Sequence, residues 1–297
     1  MNATPILLTG AHRSGSTWAG RMLALAPELT YIHEPFNLQD YPDSPIRHWF
    51  EYVSFQDEAE RQMLFRKYLS SFLSRWGARY WQPRPEQALP MTPRYWAGTL
   101  RKKLAGRALM KDPLALFSAE WIAEQFQAQV VITVRHPAAF VASLKVKDWT
   151  FDFQHWGQQT RLITDQLEVY RSQIETYAQH PPDLIDQGIL LWNGIYGTVK
   201  EYQKIHPDWL VITHEALSLA PVEQFQSLYA QLGLRFSSQI ERQILESSEG
   251  SNTGYLKRDS KANMNSWRER LNDSEIERIY QGTAPLLSYF YPDTYGG

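Results

Sequence analysis

The chain contains no cysteine among its 297 residues. Disulfides, thiolate metal sites and a cysteine nucleophile are therefore excluded together. Long apolar runs are also missing. The run at 5–8 is too short for a signal-peptide core, and no later stretch approaches the roughly 20 apolar residues of a membrane helix. These absences predict a soluble, cytoplasmic protein without a membrane span. Neither charge sign dominates: 30 Lys and Arg stand against 32 Asp and Glu, for a net charge of -2. No global field draws nucleic acid or an anionic membrane, so any anion site must be local. HExxH, EF-hand and His/Asp cluster patterns are missing too, and no metal is expected.

What is present is aromatic: 11 Trp and 16 Tyr suit a thick core or a cleft lined by flat side chains. Short apolar runs at 5–9, 108–110, 128–134 and 209–213 alternate with segments of helical periodicity. Helices are expected near 16–26, 114–126, 138–147, 155–178, 183–204 and 221–232, with another over 55–75. Such alternation predicts an α/β protein with a central parallel sheet flanked by helices, a three-layer P-loop-like fold. The polar stretch 249–265 lacks periodicity and is expected to form a long loop.

The chemistry starts where the first strand meets the first helix, at Gly10-Ala11-His12-Arg13-Ser14-Gly15-Ser16-Thr17. Loop amides and a helix N-terminus there point at an anion. Against the triphosphate pattern G-x-x-x-x-G-K-[ST], the glycines and Thr17 are in place, but Ser16 occupies the lysine position and the cation is Arg13. The loop therefore suits a 5'-phosphate carrying one further anionic group.

This stretch, LTGAHRSGSTWAGRML, resembles the 5'-phosphosulfate loop of sulfotransferases that use 3'-phosphoadenosine 5'-phosphosulfate (PAPS). The resemblance implies that Arg13 is the loop cation and that Ser14, Gly15, Ser16 and Thr17 supply amides and hydroxyls. The second hallmark of that family is a strand ending in Arg followed by a helix bearing Ser, which hold the 3'-phosphate. VVITVRHPAAFVASLK matches it, with Arg135 closing the strand and Ser143 eight positions on. A guanidinium at the carboxyl edge of a parallel sheet can grip phosphate in bidentate fashion. Two C-terminal stretches, Tyr255-Leu-Lys-Arg-Asp-Ser260 and Asn265-Ser-Trp-Arg-Glu-Arg-Leu271, resemble the C-terminal loop of carbohydrate sulfotransferases. By that match Arg258 and Ser260 close over the 3'-phosphate, while Trp267 and Arg268 anchor the loop.

The resemblance extends to TYIHEPFN: carbohydrate and tyrosylprotein branches often carry a Glu 21 residues past the loop cation, and 21 positions separate Arg13 from Glu34. Glu34 is the expected general base and His33 the second candidate. A base needs a pKa near working pH, so Glu34 is expected to be raised by a dry aromatic pocket. Lys111, in Lys111-Asp112-Pro113, reaches either substrate sulfate or a surface pair with Asp112. Glu215 reads as a structural acid in a first helical turn, and His12, His136 and His214 as structural histidines. The acceptor wall and lid are expected from Trp49, Trp76, Tyr80, Trp81, Tyr95 and Trp96 and from Trp149 and Trp156.

The resulting expectation is a single sulfotransferase domain over 1–297 with helical acceptor-side insertions near 37–105 and 147–205. It takes PAPS as sulfuryl donor, leaves PAP as product, and acts on a small-molecule or carbohydrate acceptor. Two other classes share the same start. A P-loop kinase or NTPase would bind Mg-ATP, against which Ser16 argues. A non-catalytic nucleotide-binding protein would keep Arg13 and Arg135 but make no use of Glu34.

Overall fold

A computed structural model describes residues 4–81, 100, 102–104, 106–248 and 264–292. Five strands form one parallel sheet: β1 (Ile6–Gly10), β2 (Leu29–His33), β3 (Arg107–Lys111), β4 (Gln129–Val134) and β5 (Leu210–Thr213), in the order β2-β3-β1-β4-β5. The inner strands β1 and β4 are short buried runs because both sheet faces are covered there, while the edge strands β2 and β5 are partly exposed.

The two-residue strand period divides the core between the faces. Ile6, Leu8, Leu109 and Val131 meet the helices Ser16–Leu23, Pro221–Gln231 and Ser238–Ser248 through Met22, Leu23, Phe225, Tyr229 and Ile244. Leu7, Met110, Ile132 and Val134 face the other core, where Phe65, Phe140, Trp156, Trp192 and Tyr196 are packed. That side is covered by the helices Ala59–Leu73, Pro137–Lys147, Leu184–Ile205 and Asp273–Phe290. Among the described residues, no helix is long and apolar enough to cross a membrane.

Two expected helices differ from the sequence pattern. The segment 155–178 is broken into short turns, with helical pieces Gln154–Gly157 and Thr160–Leu162, a π turn Ile163–Leu167, a 3-10 turn Glu168–Tyr170 and a final helix Arg171–Gln179. The first break falls at Gly157, and the Gln159 side chain competes with the local backbone by donating to His155 O at 2.7 Å. The helix expected over 114–126 begins as a 3-10 turn, Pro113–Ser118, before continuing as Ala119–Phe126.

Candidate active site

Strand ends bring the site together at the carboxyl edge of the sheet, where open α/β proteins bind ligands. After β1 the chain turns sharply. A Cβ on Gly10 (φ 140°) would lie 2.3 Å from Thr133 O, so the loop can leave β1 against β4 only as glycine. Arg13 sits in the left-handed region at φ 64°, and Gly15 at φ 86° caps the helix Ser16–Leu23. A Cβ on Gly15 would lie 2.4 Å from His214 Nδ1. Among the described residues no side chain caps this helix, and the first-turn amides of a helix have no acceptor within it. Ser14 turns inward: its Oγ shares a 2.6 Å hydrogen bond with Thr133 Oγ1, so its hydroxyl staples the loop to β4 rather than lining it. Thr133, a polar residue inside the apolar run VVITV, was the overlooked sequence signal for that staple.

Arg135 leaves the end of β4 toward the same loop. Its Nη1 donates to Arg13 O at 2.6 Å, and Arg13 Nε donates to Ser143 Oγ at 2.9 Å on the helix Pro137–Lys147. Arg13, Arg135 and Ser143 are thus gathered in one place. Arg135 Nε is buried with no hydrogen-bond partner among the described residues. A buried guanidinium N–H costs free energy unless an acceptor meets it, and such a donor fits a phosphate oxygen. Burial and the nearby Arg13 lower the Arg135 pKa, while the Glu215 carboxylate acts in the opposite direction. Arg258 and Ser260 lie outside the described residues, as do Tyr95 and Trp96.

Glu34 follows β2 directly and occupies an unusual backbone position, φ 42°, with its N–H donating to Lys111 O at 2.9 Å. The parallel pairing of β2 with β3 sets His33 opposite Lys111, which brings the Lys111 ammonium onto the Glu34 carboxylate. Asn37 Nδ2 donates to the other carboxylate oxygen at 3.2 Å, and His33 Nε2 lies 3.9 Å from it. Two expectations are corrected here. Burial alone would raise the Glu34 pKa, but the Lys111 charge, aided by His33 and Asn37, brings it below its ordinary value. Lys111 is only 1% exposed and pairs with Glu34, not with Asp112 at the surface. Asp112 is itself fully buried, accepting from Phe36 N at 2.6 Å and Leu114 N at 3.0 Å. Burial and the nearby Glu34 charge push its pKa up to about 8. His33, Glu34 and Asp40 place three donor atoms within 4.8 Å of one another. A cation there would compete with the Lys111 ammonium for Glu34.

Three histidines follow the strand ends. His12 is packed against Phe140, Phe50 and Trp149, with ring centroids 5.3, 5.7 and 4.8 Å away. Burial and then the Arg13 charge lower its pKa to about 3, against a smaller opposing pull from Glu34. Burial and the Arg135 charge bring His214 to about 3 as well. Burial, Arg268 and Arg135 bring His136 to about 4. His136 stacks on Trp267 at 5.5 Å, and the Arg268 guanidinium lies over the Trp267 ring in the same helical turn.

The aromatic expectations divide. Trp149 is 43% exposed, with its ring tilted against His12. Trp156 is fully buried against Phe50, Phe117 and Phe153 and belongs to the core, not to a lid. Tyr80 is also core, its hydroxyl donating to Thr30 Oγ1 at 2.9 Å near the amino end of β2. Trp81 lies beside it, with Nε1 bonded to Arg75 O, while Trp76 stands against the Arg75 guanidinium. Sequence reasoning missed Tyr196 and Trp192, which hold the Arg135 backbone through its N–H (3.1 Å) and C=O (2.8 Å). It also missed Tyr291, whose hydroxyl donates to Glu215 at 2.6 Å.

A parallel α/β sheet with a tight glycine-bearing loop after its central strand, and with Arg13 and Arg135 meeting at that loop, is a P-loop-like fold. The model of the Sulfotransferase family matches residues 5–238, and the chain belongs to that family. The comparison with curated proteins gives no match. Among solved structures, the chain is similar to the sulfotransferase domain from the Synechococcus PCC 7002 olefin synthase, at 18% identity over 97% of this chain and 95% of that one, TM-score 0.48. It is also similar to the sulfotransferase domain from the curacin biosynthetic pathway (15% identity, 96% and 99% covered, TM-score 0.47) and to mouse sulfotransferase SULT7A1 complexed with PAP (12% identity, 97% and 86% covered, TM-score 0.44).

Proposed function

We propose that this sulfotransferase moves a sulfuryl group from PAPS to a hydroxyl or amine of a carbohydrate, glycolipid or small metabolite by in-line transfer. The observation that carries the reading is the convergence of Arg13, Arg135 and Ser143, with the buried Arg135 Nε left for an acceptor. Arg135 and Ser143 hold the 3'-phosphate. The amides of Gly15, Ser16 and Thr17 hold the 5' side, with Arg258 and Ser260 closing over the nucleotide.

Arg13 meets the charge that develops on the leaving phosphate oxygen as the sulfur–oxygen bond breaks. A guanidinium does not release its proton near neutrality, so it acts by charge and hydrogen bonds. Glu34 takes the acceptor proton. It does so as a paired carboxylate rather than one of raised pKa, which is sufficient because an attacking hydroxyl becomes strongly acidic as its oxygen bonds to sulfur. Lys111 keeps Glu34 ionised and aimed, and His33 is the alternative base. No step needs a metal. Trp149 forms part of the acceptor wall, within a single domain whose acceptor side is contributed by 37–105 and 147–205.

The test has two parts. Thermal-shift titration with PAP, PAPS, ATP and GTP should show stabilisation by the first two, and stabilisation by Mg-ATP alone would point to an NTPase. Labelled PAPS offered with a panel of acceptors should give a product heavier by one sulfuryl group with wild type and none with Glu34→Ala. Equal turnover by the variant would remove Glu34 from the mechanism.

A further inference from the structure

We propose that Tyr291 and Glu215 are positioning residues that set Arg135 for the 3'-phosphate and thereby tie nucleotide recognition to the end of the last helix. This inference rests on the PAPS reading above.

The backbone of Arg135 is held at three points. Its N–H donates to Tyr196 Oη at 3.1 Å, its carbonyl accepts from Trp192 Nε1 at 2.8 Å, and the next N–H, of His136, donates to Glu215 Oε1 at 3.2 Å. The first two holds come from one face of the helix Leu184–Ile205, where Trp192 and Tyr196 stand four residues apart and are fully buried. They are fixed by the core. The third is different. Glu215 belongs to the first turn of the short helix His214–Leu219, and its second oxygen accepts from Tyr291 Oη at 2.6 Å. Tyr291 is the residue at which the helix Asp273–Phe290 ends, and its ring stands edge-on to His136 at 5.2 Å. The far side of His136 is stacked on Trp267.

This arm has an electrostatic task as well as a steric one. The Arg135 side chain bonds to the Arg13 carbonyl oxygen, and the Arg13 charge opposes its own before any anion arrives. Glu215 is the carboxylate whose charge favours Arg135 in that setting. The Tyr291 hydrogen bond fixes where that carboxylate sits. Without it Glu215 can swing, the 135–136 peptide loses its third hold, and the unpartnered Arg135 Nε no longer points to one place. The cost falls on the ligand group that Arg135 reads and not on the loop after β1.

The experiment compares PAP with AMP, which lacks the 3'-phosphate, by titration calorimetry on wild type, Tyr291→Phe, Glu215→Ala and the double variant. Tyr291→Phe should weaken PAP about tenfold, the loss of one hydrogen bond to a charged group, and leave AMP unchanged. The KM for PAPS should rise in step while kcat at saturating PAPS holds. The double variant should be no worse than Glu215→Ala, because the tyrosine acts through the carboxylate. A wild type that binds PAP no better than AMP overturns the nucleotide reading itself. A wild type that prefers PAP, with Tyr291→Phe keeping that preference in full or losing both ligands equally, overturns the positioning role and leaves the nucleotide reading standing.

Discussion

Arg135 donates from Nη1 to the carbonyl oxygen of Arg13 at 2.6 Å, so residues from the ends of β4 and β1 share a hydrogen bond across 122 positions of sequence. The bond holds the Arg135 side chain against the loop, while Ser143 Oγ holds the Arg13 guanidinium. It also leaves the rest of the Arg135 fork available to a ligand.

On the proposed mechanism the two cations fail differently when removed. Arg135→Ala should weaken PAP by about 10- to 100-fold, the range for a lost hydrogen bond to a charged group, with little effect on AMP. Arg13→Ala should lower kcat by about 10²- to 10³-fold, as for a lost oxyanion donor. Calorimetry and single-turnover transfer separate the two. Equal PAP binding by wild type and Arg135→Ala would exclude the 3'-phosphate grip.

Glu34→Gln should reduce kcat about 10²- to 10⁴-fold at neutral pH. It should also cost about 3 kcal/mol of stability, because the Lys111 ammonium is left buried without its counter-charge. The sign with pH follows from the lowered Glu34 pKa. The ion pair stabilises in full above the ordinary value of 4.5 and is lost as pH falls through the lower folded value. Wild type and variant should therefore converge in strongly acidic solution. Denaturant titrations at stepped pH measure this, and a constant gap down to the acid limit would contradict the pairing.

His12 should make the fold acid-sensitive as pH falls below about 6.5. It binds a proton near 6.5 when unfolded but only near 3 when folded, so the unfolded chain takes up more protons between those values and stability falls with pH. Its share reaches about 1.4 kcal/mol per pH unit. His12→Phe keeps a ring among Phe50, Phe140 and Trp149 and removes the titration. Its stability curve should be flatter between pH 6 and 4. An unchanged slope would show that His12 is not buried neutral.

Trp149→Ala should raise the acceptor KM about three- to tenfold, the scale of one aromatic contact, while PAP affinity stays constant. Loss of PAP binding in parallel would remove Trp149 from the acceptor wall.

The sheet and the loop after β1 were legible because apolar runs end abruptly at Gly10, Arg135 and His214 and are followed by helical periodicity. The Glu34–Lys111 pair was not, because it depends on a partner 77 residues away that only the β2–β3 register supplies. The alternative Lys111–Asp112 pair was read from adjacency, yet neighbouring residues at a strand end project to opposite sides. Trp156 and Tyr80 were misplaced for a related reason. A tryptophan or tyrosine suits a cleft wall and a core equally, and which it becomes is decided by Phe117 or Thr30, far away in the chain.

The strand order has a consequence for the two sides of the site. Arg13 and Arg135 issue from the neighbouring strands β1 and β4, while Glu34 and Lys111 issue from β2 and β3, the outer pair on the other flank. The hydrogen bonds that hold the two arginines come from Ser143, Tyr196, Trp192 and the Arg13 carbonyl, none of which lies in the long connection between β2 and β3. On the proposed function, a change in that connection bears on Glu34 and the acceptor side, while the donor grip keeps its hydrogen bonds.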